Sequence, residues 1–125
     1  MAKTLTFRIK SLDDAFTEFR DTFKAVHAGR RVRRTHGAYF TSIDAARNFL
    51  TPSRLALLRA VRSKRPGSIY ELAKMVERDL KNVQDDLRLL EQYGLVEMSH
   101  GKGTGKRRVR VPRTKVEQIA LKIAI

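Results

Sequence analysis

The stretch from Ser68 to Pro112 constrains the fold of this 125-residue chain more than any other. A short amphipathic segment is followed by a turn, a longer amphipathic segment and a glycine-rich basic sequence between two short apolar runs. The apolar residues of the longer segment recur at intervals of three, four and three, as on one helix face: Leu80, Val83, Leu87 and Leu90. One face of this helix is therefore predicted to be buried, and the opposite face to be free for a partner.

The segments before this helix complete a helix-turn-helix pattern. Ser68 and Glu71 have the spacing of a capping box, which predicts the start of the shorter helix. Glu77 to Asp79 is the predicted turn, with Asp79 as the cap of the longer helix, residues 79–93. Thr51-Pro52 predicts the start of a preceding helix, because threonine caps well and proline is tolerated at the first helical position.

A basic hairpin, which we call the wing (residues 99–110), is predicted after the longer helix. Its Gly-X-Gly-X-Gly tip is unlike a nucleotide loop in context, because it joins two strands instead of a strand and a helix. From His100 to Lys115 there are seven basic residues and no acid. The side chains expected to contact phosphate are Lys102, Lys106, Arg107, Arg108 and Arg110. This order of elements predicts a winged helix-turn-helix domain, residues 51–113, that binds double-stranded DNA.

The free face of the longer helix would then read bases. Lys81 and Arg88 can donate to guanine, and Asn82 can pair with adenine through two hydrogen bonds. The full set of candidate base readers is Lys81, Asn82, Gln84, Asp85 and Arg88. A plain solvated helix face is the alternative for this set. Asp86, at the flank, has two open roles: a contact to DNA, or an ion pair with an arginine of the wing.

Residues 1–50 predict a strand-helix-strand-helix element for dimer or partner contacts. Strands are predicted at Thr4 to Ile9 and at His36 to Thr41, and helices from Ser11 to Gly29 and from Ser42 to Leu50. The first helix carries an apolar stripe that is expected to be mainly core: Phe16, Phe19, Phe23 and Val26. The alternative is that some of these rings pack against a second subunit. The basic residues after it are expected to bind flanking phosphates or an acidic partner: Arg30, Arg31, Arg33 and Arg34.

A capping-box spacing at Thr114 to Glu117 predicts a C-terminal amphipathic helix, residues 114–125. Such a helix needs a cover, and a second copy of the chain is one candidate. DNA readers of this kind often use two-fold symmetry to address two half-sites, so a homodimer is expected. The expected fold class is therefore α+β, with the small N-terminal element, the winged domain and this last helix.

Composition narrows the function further. Lys and Arg number 27 against 13 Asp and Glu, a formal charge of +14 that favours a polyanionic partner. The chain has no cysteine and its three histidines are isolated, so neither an enzyme, a metal site nor a cofactor is expected. No apolar run approaches membrane-spanning length, which favours a cytoplasmic protein without membrane contact. Structured RNA is an alternative partner, with Phe7, Tyr39 and Phe40 stacking on bases.

Residues 68–97 also carry a family resemblance. The string Ser-Ile-Tyr-Glu-Leu-Ala-Lys and the later Leu-Leu-Glu-Gln-Tyr-Gly-Leu-Val-Glu resemble winged helix-turn-helix regulators of the MarR and ArsR type. The chain is also similar to a small prokaryotic family of predicted DNA-binding regulators, some of them regarded as antitoxins. The resemblance implies a repressor of its own or a neighbouring promoter. It also implies an alternative, an antitoxin that neutralises a toxin through residues 1–50.

Overall fold

The computed structural model describes residues 3–29, 39–101 and 109–125. Over these residues the chain has an α+β fold with five helices, a three-stranded sheet and an antiparallel two-stranded hairpin. The elements in chain order are β1 (Lys3–Ile9), α1 (Leu12–His27), β2 (Tyr39–Phe40), α2 (Ile43–Phe49), α3 (Pro52–Lys64), α4 (Ile69–Met75), α5 (Leu80–Gln92), β3 (Glu97–Gly101), β4 (Val109–Arg113) and β5 (Val116–Ile123).

Two compact units make up the chain. The first consists of Met1–Leu5 and Leu50–Gln118, and the second of Thr6–Phe49 and Ile119–Ile125. The first unit thus holds α3, α4, α5 and the β3–β4 hairpin, whereas the second holds α1, β2 and α2.

Three aromatic rings of the second unit form its core beside strands β1 and β2. The strand order is β2-β1-β5, and β1 runs parallel to β2 with Arg8 opposite Tyr39. The rings of Phe7, Phe40 and Phe49 lie with centroids 5.3 to 6.3 Å apart, and all three are buried. In β1, Phe7 is buried between the half-buried Thr6 and the exposed Arg8. Since Phe7 and Phe40 are buried, neither ring is exposed for stacking on bases.

The first unit is built around the buried faces of three helices. The predicted inward residues Val83, Leu87 and Leu90 of α5 are buried, while Leu80 at the start of that helix is exposed. They share the core with Leu72 of α4 and Val61 of α3. Leu57 and Leu58 of α3 are also buried.

Local capping sets the helix boundaries close to their predicted positions. The Thr51 hydroxyl accepts a hydrogen bond from Arg54 N, and the Ser68 hydroxyl accepts one from Glu71 N. The reciprocal bond of the capping box is shifted by one residue, because the Glu71 carboxylate accepts from Gly67 N. These contacts confirm that α3 and α4 begin where their sequence signals predict.

A glycine ends α5 and redirects the chain toward the hairpin. Gly94 has φ 78°, a left-handed conformation that suits a residue without a side chain. Gly94 N donates to Glu91 O, and Leu95 N donates to Leu90 O, which is the hydrogen-bond pattern of a Schellman motif. Leu90 and Leu95 are both buried, so this turn anchors the start of the hairpin to the core.

The C-terminal segment is a strand, and the helix predicted for residues 114–125 is wrong. β5 hydrogen-bonds to β1 at one edge of the sheet. The Thr114 hydroxyl accepts from Val116 N and donates to Leu95 O, so it closes a turn instead of capping a helix. Val116, Ile119 and Ile123 are β-branched, which suits a strand once β1 offers a partner.

The aromatic stripe of α1 is exposed, and its predicted role as core is wrong. Phe16, Phe19 and Phe23 are 64%, 71% and 63% exposed, and the side chain of Val26 lies outside the described part. Phe40 and Phe49 cover the buried ring of β1 instead. The helix itself begins as predicted, because the Ser11 hydroxyl accepts a hydrogen bond from Asp14 N.

Candidate nucleic-acid interface

The outer face of α5 is open to solvent along the helix. The five predicted base readers are all exposed: Lys81, Asn82, Gln84, Asp85 and Arg88. Their exposure follows from the burial of Val83, Leu87 and Leu90, which fixes the rotation of the helix about its axis. Asp79 stands at the N-cap position, as predicted, but its side chain makes no capping hydrogen bond.

The β3–β4 hairpin follows α5 in an antiparallel register. His100 pairs with Arg110, and Gly101 pairs with Val109. Val111 is buried and Arg110 is exposed, because successive side chains of a strand lie on opposite faces. A side chain at Gly101 would meet Val111, because a Cβ built there lies 2.7 Å from Val111 Cγ2. The close contact between the strands thus explains the glycine at position 101.

Part of the predicted interface lies outside the described residues. Of the predicted phosphate contacts, Arg110 is described, whereas Lys102, Lys106, Arg107 and Arg108 are not. The tip glycines at 103 and 105 and the N-terminal cluster of Arg30, Arg31, Arg33 and Arg34 also fall outside.

α5 and the hairpin line a common groove. Its volume is about 410 Å³, and it is lined by Ile69, Gln84, Leu87, Arg88, Glu91, Met98 and Arg110. Arg110 Nη2 lies 3.7 Å from Glu91 Oε2, so this ion pair links β4 to the last turn of α5. Two predicted base readers, Gln84 and Arg88, thus share one groove with the predicted phosphate contact Arg110.

Asp86 faces the other helices of the unit. Its carboxylate accepts from Arg54 Nε at 3.1 Å and from Arg78 Nη2 at 2.7 Å, and its side chain is only 14% exposed. Arg110, the described arginine of the wing, meets Glu91 instead of Asp86, whereas Arg107 and Arg108 lie outside the described residues. The sequence offered no signal for these partners, because Arg54 lies 32 residues away on α3.

The Asp86 contacts change the electrostatics of α5. The helix contains Asp85, Asp86 and Glu91 against Lys81 and Arg88, a formal charge of −1. Because two arginines from outside the helix bind Asp86, the exposed face retains Asp85 as its acid near Lys81 and Arg88.

The turn between α4 and α5 is fixed by backbone and side-chain contacts. Glu77 has φ 54°, a left-handed conformation that is uncommon for a residue other than glycine. Arg78 N donates to Ala73 O, and the Arg78 side chain reaches Asp86. Arg78 Nη1 is buried and lacks a hydrogen-bond partner among the described residues. The predicted turn is confirmed, and Arg78 connects it to the middle of α5.

Arg113, one of the seven basic residues near the wing, has an internal role. Its Nη1 donates to Pro66 O at 2.7 Å and to Pro112 O at 2.8 Å. These bonds tie the end of β4 to the loop between α3 and α4, so Arg113 contributes to the fold of the unit.

Two further properties concern the described residues alone. No group of three or more histidine, cysteine or acidic side chains among them is placed to hold a metal ion. None of the helices in residues 3–29, 39–101 and 109–125 has the length and apolar character needed to cross a membrane.

A family model matches residues 49–118, which is more than half of the chain and includes α3, α4, α5 and the hairpin. The chain belongs to the HVO_A0114 family. No curated protein and no solved structure matches it. The part that the HVO_A0114 model covers contains the groove between α5 and β4 and the Asp86 ion pairs, whereas α1 lies outside it.

Proposed function

We propose that this HVO_A0114 family member is a double-stranded DNA-binding transcription regulator with a winged helix-turn-helix. In this proposal α5 is the recognition helix in the major groove, and the β3–β4 hairpin is the wing that contacts the phosphate backbone. The observation that carries the proposal is the groove in which Gln84 and Arg88 of α5 lie beside Arg110 of the hairpin.

The size and chemistry of the exposed helix face support this assignment. The major groove is about 12 Å wide, and an α-helix with its side chains is about 10–12 Å across. Asn82 and Gln84 offer both donors and acceptors, and Arg88 offers a planar set of donors for guanine. The exposed face of α5 thus has the groups that distinguish one base pair from another.

The charge distribution supports a division of labour between the two elements. With a formal charge of −1, α5 does not attract phosphate through its net charge, whereas the whole chain carries +14. Cations outside α5 would therefore supply most of the affinity, and phosphate contacts position a protein without selecting sequence. We assign the phosphate contacts to Arg110 and the other basic residues of the wing, and base selection to α5.

As a regulator, the chain would repress its own or a neighbouring promoter as a homodimer. Two-fold symmetry would set two recognition helices about one helical turn of DNA apart. Nothing in the chemistry of the groove calls for a cofactor. The protein would act in the cytoplasm, where its operator lies.

The test is a salt titration of duplex DNA binding by fluorescence anisotropy, with a structured RNA as competitor. We expect the logarithm of affinity to fall linearly with the logarithm of salt, with a slope of about 0.9 for each phosphate contact. Arg110→Ala should lower affinity for all duplexes alike and reduce that slope by about one contact.

The matched control is Arg59→Ala, which removes an exposed arginine of α3 outside the groove. This variant should leave the affinity and slope closer to those of the wild type than Arg110→Ala does. A salt-independent affinity, or an RNA that displaces the duplex at equal concentration, would contradict the proposal.

A further inference from the structure

The geometry of α1 points to a second copy of the chain as its partner, and we propose that two α1 helices pair in antiparallel orientation. Phe16, Phe19 and Phe23 are each about two-thirds exposed, and Leu12 is 58% exposed. Four large apolar side chains on one helix are costly to leave in water, because burying one such side chain gains about 1.5–3 kcal/mol. The pairing concerns α1 alone and does not rest on the DNA-binding proposal.

The spacing of these residues is that of a coiled-coil seam. Leu12, Phe16, Phe19 and Phe23 follow one another at intervals of four, three and four, the order in which a and d positions alternate in a heptad. In heptad terms Phe16 and Phe23 occupy the a positions, and Leu12 and Phe19 the d positions. A stripe of this width suits one facing helix better than a broad sheet surface.

One polar side of α1 contacts the rest of the second unit through an ion pair and lines a cavity there. Lys10, just after β1, forms an ion pair with Glu18. Asp14, Thr17 and Glu18 line a cavity with residues 8–11 and 122–124, all within the second unit. Because a helix normally turns its apolar side inward, this arrangement leaves the seam positions for a partner outside the unit.

The charges beside the seam are complementary to a second α1 in one orientation. Asp13 and Arg20 occupy e positions, which face each other across an antiparallel pair. With Phe16 opposite Phe19 of the partner subunit, and Leu12 opposite Phe23 of the partner subunit, Asp13 lies about half a turn from Arg20 of the partner subunit. Two-fold symmetry repeats this ion pair on both ends.

A parallel pair lacks this match. The residue facing Arg20 would then be Ala15, and no opposite charges would meet beside the seam. The remaining seam neighbours, Ala15 and Thr22, are small enough to allow close approach in the antiparallel pair. The pattern of charge and size thus selects the antiparallel orientation.

The exposed apolar area of α1 determines how stable the proposed dimer can be. A phenylalanine buries about 150–250 Å² in all, so three rings that are two-thirds exposed offer about 400 Å². A standard interface buries about 800 Å² on each partner, so the rings supply about half before Leu12 and the flanking side chains are counted. The expected dimer is therefore a reversible one that forms as protein concentration rises.

The experiment is analytical ultracentrifugation of the full chain, without DNA, over a wide range of concentration. The wild type should show a monomer–dimer equilibrium. Phe19→Ser removes a seam ring from both copies and should raise the dissociation constant about a hundredfold. Tyr70→Ser, which removes an exposed ring of α4, is the matched control and should leave the equilibrium unchanged. Because both rings are exposed, circular dichroism should show both variants folded.

A charge exchange tests the orientation. Asp13→Arg and Arg20→Asp should each weaken the dimer about tenfold, because each places like charges together twice. The double variant Asp13→Arg/Arg20→Asp should restore wild-type association. Failure of that restoration would exclude the antiparallel register. A chain that stays monomeric up to its solubility limit, or a Phe19→Ser dimer as strong as the wild type, would overturn the proposal and assign the stripe to a different protein partner.

Discussion

Asp85 and Asp86 are adjacent acids of one helix that have different surroundings. One step along α5 turns a side chain by about 100°, which takes position 85 into solvent and position 86 toward α3. Asp86 binds Arg54 and Arg78, whereas Asp85 stays exposed on the face assigned to bases. The same residue type is thus structural at one position and available to a ligand at the next.

Asp86→Ala should destabilise the fold, because it leaves Arg54 and Arg78 without their shared carboxylate. Hydrogen bonds to charged groups contribute about 1.5–3 kcal/mol, so we expect a loss of that order in the free energy of unfolding. Urea denaturation measures it. Asp85→Ala is the control and should change this free energy by less than about 0.5 kcal/mol. Equal losses in the two variants would show that the ion pairs do not stabilise the protein.

Gly101→Ala should also destabilise the protein, because its new Cβ would lie 2.7 Å from Val111 Cγ2. Overpacking of this kind costs about 1–3 kcal/mol. Val111→Ala removes the opposing methyl groups, so the double variant should lose less stability than the sum of the two single variants. A double variant whose loss equals that sum would show that the hairpin absorbs the added methyl group without strain.

At the scale of elements, the sequence correctly predicted the helix boundaries that depend on interactions between residues close together in the chain. The starts of α3 and α4 follow from the Thr51 and Ser68 caps, and the end of α5 follows from Gly94. The exposed side chains of α5 could also be predicted from the sequence, because the spacing of the buried residues determines which side chains lie on the opposite face. For these elements the residues that decide the structure are within a few positions of one another.

The sequence did not predict the structures that depend on contacts between residues far apart in the chain. β5 has the spacing of an amphipathic helix, but hydrogen bonding to β1 makes it a strand, and β1 is more than 100 residues earlier. The exposure of Phe16, Phe19 and Phe23 was missed for a related reason. The sequence shows that a stripe is apolar, but not that Phe40 and Phe49 already cover Phe7.

At the scale of the whole molecule, a formal charge of +14 is combined with a candidate reading helix of charge −1. In the proposed function this contrast would separate attraction to DNA from selection of a sequence, which are different physical tasks. The α1 pairing would add a third property, dimerisation, because a dimer that contacts two half-sites at once binds DNA more tightly than one subunit does. Each property lies on a different element, so each can be removed by substitutions that leave the others in place.

The central claim is that the exposed face of α5 selects DNA sequence, and selection from a pool of random duplexes tests it most directly. We expect the wild type to enrich a defined motif, Arg88→Ala and Asn82→Ala to enrich altered motifs, and Arg110→Ala to enrich the wild-type motif with lower affinity. Enrichment of no motif by the wild type, or of the wild-type motif by both α5 variants, would contradict the account.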